Sequence, residues 1–154
     1  MTDSTTVSDA ERRAIEQDCE KLALKSMMLN DAHEWDALSN LFTENAGFAR
    51  PTDPDNPLEG RDAIRAAFKA RPANRLTCHL CTSVIVDVID ADHARGRTTL
   101  TLITGDTANA AANPAMGVVA DHKKFIGFME DDYVRTADGW RIEKRLGRIT
   151  FSVE

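Results

Sequence analysis

The length, composition and charge of this chain indicate one soluble domain and argue against several classes of partner. Its 154 residues, of which 42% are hydrophobic and 29% charged, suit a compact domain with its own core. The formal net charge of −6 argues against nucleic acid or an anionic membrane surface as the main partner.

The chain begins with a polar segment that does not match the apolar stretch of a secretory signal. No apolar run approaches the ~20 residues that span a bilayer. We therefore expect a cytoplasmic protein with a flexible segment over residues 1–9 and a single domain over residues 10–154.

Helical spacing of apolar residues dominates the first half of the chain. Ser8 followed by Glu11 is a capping-box signature, and the apolar spacing after it predicts a helix over 9–29. The same kind of spacing predicts a second helix over 34–43. A third helix is predicted to end before Pro72, because proline cannot continue the pattern.

Strand patterns dominate the second half, where Asp138-Gly139 is a strong hairpin dipeptide. The predicted strands are 46–50, 76–89, 93–104, 123–136 and 139–153, and two further stretches are a proline-rich loop, 51–57, and a weakly patterned loop or helical turn, 105–122. Helices followed by strands in hairpins predict an α+β fold with an antiparallel or mixed sheet. A strongly bent sheet covered by the helices would form a cone that encloses a pocket.

The residue types that bind metals or cofactors show no matching pattern. Cys78 and Cys81 have CxxC spacing, but residues three apart on a strand face opposite sides of the sheet. Together with Cys19 they are expected to be reduced thiols. No set of His, Asp and Glu has metal-ligand spacing and no glycine-rich phosphate loop occurs, so we expect no metal and no cofactor.

One carboxylate and one imidazole form the main catalytic candidate. Asp31 follows the first predicted helix, and His79 lies within a predicted strand. If the fold brings them together, the carboxylate fixes the imidazole tautomer and stabilises the imidazolium, which makes an oriented general base. Two structural alternatives stay open, because Asp31 with Glu34 also matches a cap for the second helix and a lone strand histidine is usually structural.

Alternation along the predicted strand places His79 on the more polar face, together with Thr77, Cys81 and Ser83. Such a face is typical of a pocket wall and equally of a solvent-facing surface. His122 borders the weakly patterned stretch and is a lesser candidate for the mouth of a cavity.

Four segments in a fixed order carry a resemblance to a known family: Asn30–Leu38, Leu41–Ala46, Gly60–Ile64 and Asp138–Ile142. This order resembles the SnoaL-like branch of the nuclear transport factor 2-like (NTF2-like) superfamily, over about residues 10–150. The resemblance implies a cone-shaped α+β domain in which three N-terminal helices pack on a strongly curved sheet around a pocket.

Within the superfamily, the motifs are most similar to enzymes of the scytalone dehydratase and hexachlorocyclohexane dehydrochlorinase type. Asp31 and His79 match the Asp before the second helix and the His on a central strand of these enzymes, so the resemblance implies a base-assisted elimination. Asn30 replaces a tyrosine of scytalone dehydratase, while Thr104 and Glu130 fall near its second pocket histidine and its pocket asparagine. Scytalone itself is therefore not the expected substrate.

Apolar side chains complete the expected substrate-binding wall beside Asn30 and Thr104. Met27, Phe48 and Phe128 are assigned to it, although packing in the core explains them equally well. If Phe128 faces the cavity, Glu130 faces it too and is a second acid/base candidate. A run of three acidic residues is, however, more often a solvated strand edge.

These observations predict a cofactor-independent lyase, with His79 as general base and then acid, oriented by Asp31. The expected substrate is a small, mostly apolar, cyclic or aromatic molecule. Two alternatives stay open: a non-catalytic module that binds a small ligand or a partner protein, and a cofactor-free polyketide cyclase or oxygenase. Because a long open sheet leaves an edge and a face exposed, we also expect a homodimer or a homotrimer.

Overall fold

Three helices pack on one large, curved sheet in the computed structural model, which describes residues 7–154. The helices are α1 (Asp9–Asp31), α2 (Trp35–Ser39) and α3 (Arg61–Lys69). The strands are β1 (Phe42–Arg50), β2 (Asp53–Glu59), β3 (Arg75–Val88), β4 (His93–Ala110), β5 (Val118–Ala120), β6 (Lys124–Thr136) and β7 (Gly139–Val153). A short 3-10 turn, Pro114–Met116, precedes β5.

The first helix begins where the capping signature predicts. The Ser8 hydroxyl accepts a hydrogen bond from the Glu11 N–H at 3.2 Å and caps α1. Of the segment predicted to be flexible, residues 1–6 lie outside the described residues. α1 buries the residues at helical spacing on one face: Ile15, Cys19, Leu22, Ala23, Ser26, Met27 and Asn30.

The sheet is mixed, which confirms the predicted α+β class. Its strand order is β2-β1-β7-β6-β4-β3, and β5 pairs with β4. Strands β1 and β7 run parallel, and the other neighbours are antiparallel. Register shifts interrupt several of these ladders, and such bulges increase the local twist and bend of a sheet. We call the face that packs against the helices the inner face and the opposite one the outer face.

The core lies between the helices and the inner face. Its largest fully buried side chains come from α1, β1, β6 and β7, as well as α2 and α3: Ile15, Leu38, Phe42, Ile64, Tyr133 and Ile142. A smaller cluster of Met27, Leu100 and Met129 adjoins the cavity described below. The sheet is therefore filled along part of its inner face and open along the rest.

The prediction for the second helix is wrong at its C-terminal end. α2 ends at Ser39, and Phe42 already begins β1, where it pairs in parallel with Ile142. Phe42 is fully buried in the core. Tertiary burial and strand pairing have therefore outweighed the helical spacing of Leu41 and Phe42.

The proline-rich segment predicted as a loop over 51–57 instead contributes most of β2. This strand pairs with β1 alone and so forms an edge of the sheet. Pro54 and Pro57 are compatible with this position, because an edge strand needs backbone donors on only one side.

The segment 105–122 is also more ordered than the predicted loop or helical turn. β4 continues to Ala110, and after the 3-10 turn β5 pairs back onto it, with Gly105 opposite Ala120. The small side chains of this segment gave little periodicity, so the hairpin extension had no signal in the sequence.

A bulge in β3 changes which side chains face inward. Cys81 pairs with Leu100 and Ser83 pairs with Thr99, so Thr82 is an extra residue in β3. The inward set therefore changes from odd to even positions: Thr77, His79 and Cys81 before the bulge, then Val84, Val86 and Val88 in contact with the core. Ser83, predicted to share the face of His79, instead borders a groove on the outer face.

Candidate active site

The Asp31 carboxylate makes three hydrogen bonds to β3 across its junction with α1, and one of them is to the His79 ring. Asp31 Oδ1 lies 2.6 Å from His79 Nδ1, and Oδ2 accepts the backbone N–H of His79 at 2.8 Å. The Thr77 hydroxyl donates to Oδ1, also at 2.8 Å. The side chain of His79 is 5% exposed and that of Asp31 25%. Both partners are therefore fixed, Asp31 by the last turn of α1 and His79 by β3, which pairs with β4 at one edge of the sheet.

These hydrogen bonds set the charge of the pair. Burial alone would raise the pKa of Asp31, but the bonds from the His79 ring, the His79 backbone and Thr77 outweigh it and lower that pKa. Asp31 is thus ionised at neutral pH and can only accept. The proton of neutral His79 then lies on Nδ1, which leaves Nε2 as an unprotonated base.

The alternative that Asp31 caps the second helix is wrong. Glu34 is the N-cap of α2 and makes no side-chain capping bond. Both oxygens of Asp31 turn instead to β3.

His79 lies on the wall of a cavity of about 330 Å³ between the end of α1, the segment that follows α3 and the inner face. Asn30, Thr52 and Thr77 add neutral polar groups to this wall, and four arginines complete the polar lining: Arg50, Arg71, Arg75 and Arg148. The rest of the wall is mostly apolar: Phe48, Pro51, Pro72, Leu100, Leu102, Phe125, Phe128, Met129 and Ile149. Such a lining suits a small molecule with an apolar body and few polar groups.

The substrate-binding residues predicted from the sequence fall into two sets. Asn30 and Phe48 line the cavity, at 8% and 5% exposed. Phe128 borders it too, although its ring packs under the Arg97 guanidinium, 3.7 Å away, on the outer face. Met27 lies behind the wall, where it packs with wall residues of the small apolar cluster.

Thr104 and Glu130 were predicted to line the cavity, but neither does so. The Thr104 hydroxyl donates to Asp121 Oδ2 at 2.6 Å, next to the β5 hairpin. Glu130 lies on the outer face, 3.5 Å from Arg97. The reason is the alternation of β6, in which Met129 and Asp131 take the buried positions and Glu130 therefore points outward.

His122, the lesser histidine candidate, lies outside the Asp31–His79 pair, and so does His33. His122 is exposed and does not border the cavity. His33 stacks on Trp35 with ring centroids 4.8 Å apart, and Trp35 stacks in turn on Phe68. This aromatic stack lies against Arg71, which borders the cavity.

Sequence reasoning missed the cavity arginines and one buried charge pair. Arg145 donates two hydrogen bonds to Asp131, both at 2.7 Å, and the Tyr133 hydroxyl donates a third at 3.0 Å. The cavity arginines come from four separate segments of the chain, which share no spacing that could have grouped them.

A family model described as a SnoaL-like domain matches residues 11–146. The chain belongs to the SnoaL-like domain family. This confirms the resemblance to a SnoaL-like domain that was inferred from the order of the sequence motifs. Comparison of the SnoaL-like domain with curated protein sequences gave no match.

Several solved structures share the fold over most of both chains. A protein provisionally named scytalone dehydratase, from Novosphingobium aromaticivorans DSM 12444, is 18% identical, with a TM-score of 0.78 over 95% of this chain and 91% of that chain. Hexachlorocyclohexane dehydrochlorinase type 2 is 14% identical, with a TM-score of 0.76 over 95% and 92%. An NTF2-like protein with a cystatin-like fold, from Novosphingobium aromaticivorans, is 21% identical, with a TM-score of 0.70 over 97% and 92%. At these identities the likeness shows the fold alone.

Within residues 7–154, none of the helices of this SnoaL-like domain has the length and apolar character to cross a membrane. In the same part of the chain, no three His, Cys, Asp or Glu side chains are grouped so as to hold a metal ion.

Proposed function

We propose that this SnoaL-like domain is a cofactor-independent lyase that eliminates a small leaving group from a cyclic or aromatic molecule. The observation that carries the proposal is the 2.6 Å contact between Asp31 Oδ1 and His79 Nδ1 on the wall of a mainly apolar cavity. A base that is oriented through one nitrogen and free at the other is suited to take a proton from a carbon acid.

In the proposed elimination, His79 Nε2 takes a proton from the carbon next to the one that carries the leaving group. The electron pair of this C–H bond forms the new C=C bond as the bond to the leaving group breaks. When hydroxide leaves, the imidazolium returns the proton to it, so the products are an alkene and water. Asp31 stays ionised throughout and stabilises the imidazolium.

Asn30 is suited to stabilise the charge that develops on a substrate oxygen. Arg71 Nη1 donates to Asn30 Oδ1 at 2.8 Å, and because a guanidinium only donates, this bond fixes the orientation of the amide. The Nδ2 donors of Asn30 are then available to a carbonyl oxygen that becomes enolate-like in the transition state. Asn30 would thereby donate the hydrogen bond to the substrate oxygen that a tyrosine hydroxyl could donate from the same position.

The substitution His79→Ala tests the mechanism. We expect turnover to fall by about 10²–10⁴-fold, the usual contribution of a general base, with an unchanged circular dichroism spectrum. The assay follows a panel of cyclic β-hydroxy ketones by NMR, for the alkene product and for deuterium taken up from D₂O at the acidic carbon. His122→Ala is the matched control and should behave as the wild type, because His122 is exposed and outside the cavity.

Equal turnover by the His79→Ala variant and the wild type would rule out the mechanism. Tight binding of panel members by the wild type, with neither alkene nor deuterium incorporation, would favour the non-catalytic module instead. Nitrogen-15 NMR of the His79 ring adds a test that needs no substrate. We expect the neutral ring to carry its proton on Nδ1, and a proton on Nε2 instead would contradict the proposed base.

The assembly state and the location in the cell stay predictions. Ile85 is 65% exposed and Phe151 is 61% exposed, and apolar side chains of this size support contact with a second copy, as a homodimer or a homotrimer. Size-exclusion chromatography with light scattering distinguishes these two from a monomer. A cytoplasmic location is proposed on the sequence composition alone.

A further inference from the structure

The polar lining of the cavity has an unusual charge balance. Four arginines border it, and none of its lining residues is Asp or Glu, although the whole chain carries a net charge of −6. Two of the four have an acidic partner just outside the lining: Arg50 pairs with Asp53 and Arg75 with Asp121. Within residues 7–154, Arg71 and Arg148 form no ion pair. A concave site lined by charge of one sign focuses its field on ligands of the opposite sign.

The Arg71 guanidinium is held in place by aromatic rings and a neutral acceptor, and not by an ion pair within residues 7–154. Its central carbon lies 4.5 Å from the centre of the Phe68 ring and 5.7 Å from that of Trp35. Its Nη1 donates to a neutral acceptor, Asn30 Oδ1, at 2.8 Å. Burial lowers the pKa of Arg71 and the charge of Arg50 lowers it further, while the Asp31 carboxylate acts in the opposite direction.

Arg50 is incompletely satisfied as well. Its Nη2 donates to Asp53 Oδ2 at 3.0 Å, but its Nε is buried and has no acceptor within residues 7–154. A buried polar atom without a partner is uncommon, because the lost hydration is not replaced. Two guanidiniums with unpartnered donors therefore line the same cavity.

We infer that Arg71 and Arg50 form an anion subsite, and that the molecule bound in this cavity carries a carboxylate on an apolar ring. The planar guanidinium of Arg71 matches a carboxylate geometrically, and its fixed position reduces the entropy lost on binding. The apolar wall takes the ring. The inference rests on the proposed function, because it names the substrate class for the site of the Asp31–His79 pair.

Benzoate and benzamide test this inference, since they share a ring and differ in charge. Titrations followed by ¹H–¹⁵N NMR should show the wild type binding benzoate at least ~10-fold more tightly than benzamide, which corresponds to about 1.4 kcal/mol. Arg71→Gln should reduce this preference to less than ~2-fold, and Arg71→Lys should retain part of it, because Lys keeps the charge and loses the planar fork. Arg13→Gln, on an exposed part of α1, is the control and should keep the full preference.

Equal binding of benzoate and benzamide by the wild type would overturn the inference, and so would a preference that survives in Arg71→Gln. Tighter, Arg71-dependent binding of inorganic phosphate than of benzoate would overturn the assignment to a carboxylate. The same titration with His79→Ala separates the two proposals. A preserved benzoate preference supports the subsite even if that variant still turns over the ketone panel, an outcome that would remove only the lyase mechanism.

Discussion

Asp31 and Asp131 each hold a basic side chain at hydrogen-bond distance. The two pairs differ in their burial and in whether the basic side chain borders a cavity. In the Asp31–His79 pair, the side chains are 25% and 5% exposed, and in the Asp131–Arg145 pair they are 1% and 5% exposed. Arg145 and the Tyr133 hydroxyl occupy both oxygens of Asp131. His79 has a second ring nitrogen, and its ring borders a cavity.

The Asp131–Arg145 pair can only be structural, whereas the Asp31–His79 pair keeps the free ring nitrogen that the proposed mechanism needs. A guanidinium stays protonated at every working pH, so the Asp131–Arg145 pair cannot serve as a base. Burial, and then the charge of Asp131, raise the pKa of Tyr133, which keeps that hydroxyl a donor. The Asp31–His79 pair has the same kind of contact, but an imidazole, unlike a guanidinium, can give up its proton.

The largest effect is expected from Arg145→Ala. Removal of one partner leaves Asp131 buried and unpaired, and should lower the free energy of unfolding by about 3–5 kcal/mol. Urea unfolding followed by circular dichroism measures this change. The double substitution Asp131→Leu with Arg145→Met should recover a large part of the loss, because no buried charge is then left alone. A loss below ~1 kcal/mol for the single variant would contradict the structural role.

A pH-dependent effect is expected at the other pair. The pKa of Asp31 is lowered in the folded state, so its contribution to stability is present above its unfolded pKa of ~3.9 and is lost as the pH falls through the folded value. The difference in unfolding free energy between wild type and Asp31→Asn should therefore shrink below pH ~4. Because the other carboxylates contribute equally to both proteins, their pH dependence cancels in this difference. A constant difference from pH 7 to pH 2 would contradict the lowered pKa of Asp31.

The smallest effect is expected from Thr77→Val, which removes one donor to Asp31 and keeps the side-chain shape. The unfolding free energy should fall by about 0.5–1.5 kcal/mol, as for a typical hydrogen bond. Thr82→Val on the same strand is the control, because Thr82 is exposed and bonds only to the Thr99 carbonyl; its change should stay within about 0.5 kcal/mol. If both variants lost the same unfolding free energy, the hydrogen bond from Thr77 to Asp31 would contribute no more to stability than the exposed bond of Thr82.

The fold class could be predicted because helical spacing and strand alternation are local patterns in the sequence. The Asp31–His79 pair could be predicted because the two residue types themselves suggest the contact. Helical spacing marked α1, alternation marked the long strands, and a carboxylate and an imidazole at matching positions indicated the pair. The end of α2 and the start of β1 could not be predicted, since they depend on the burial of Phe42 and its pairing with Ile142 in a distant strand.

The prediction that Glu130 on β6 faces the cavity was wrong, and the reason lies in the acidic run of this strand. Three consecutive acidic residues indicate solvent exposure, yet Asp131 is buried because Arg145 from β7 neutralises it. Its neighbours Glu130 and Asp132 then face outward, away from the cavity. A cross-strand ion pair of this kind has no signature within either strand alone.

The extra residue Thr82 lets one strand serve two purposes. Side chains before it line the cavity, and the valines after it fill the core. Deletion of Thr82 would restore strict alternation, and the chain would then have to expose either the valines or the His79 ring. A single inserted position thus lets the odd positions of the first half of β3 face the ligand while the even positions of the second half face the core.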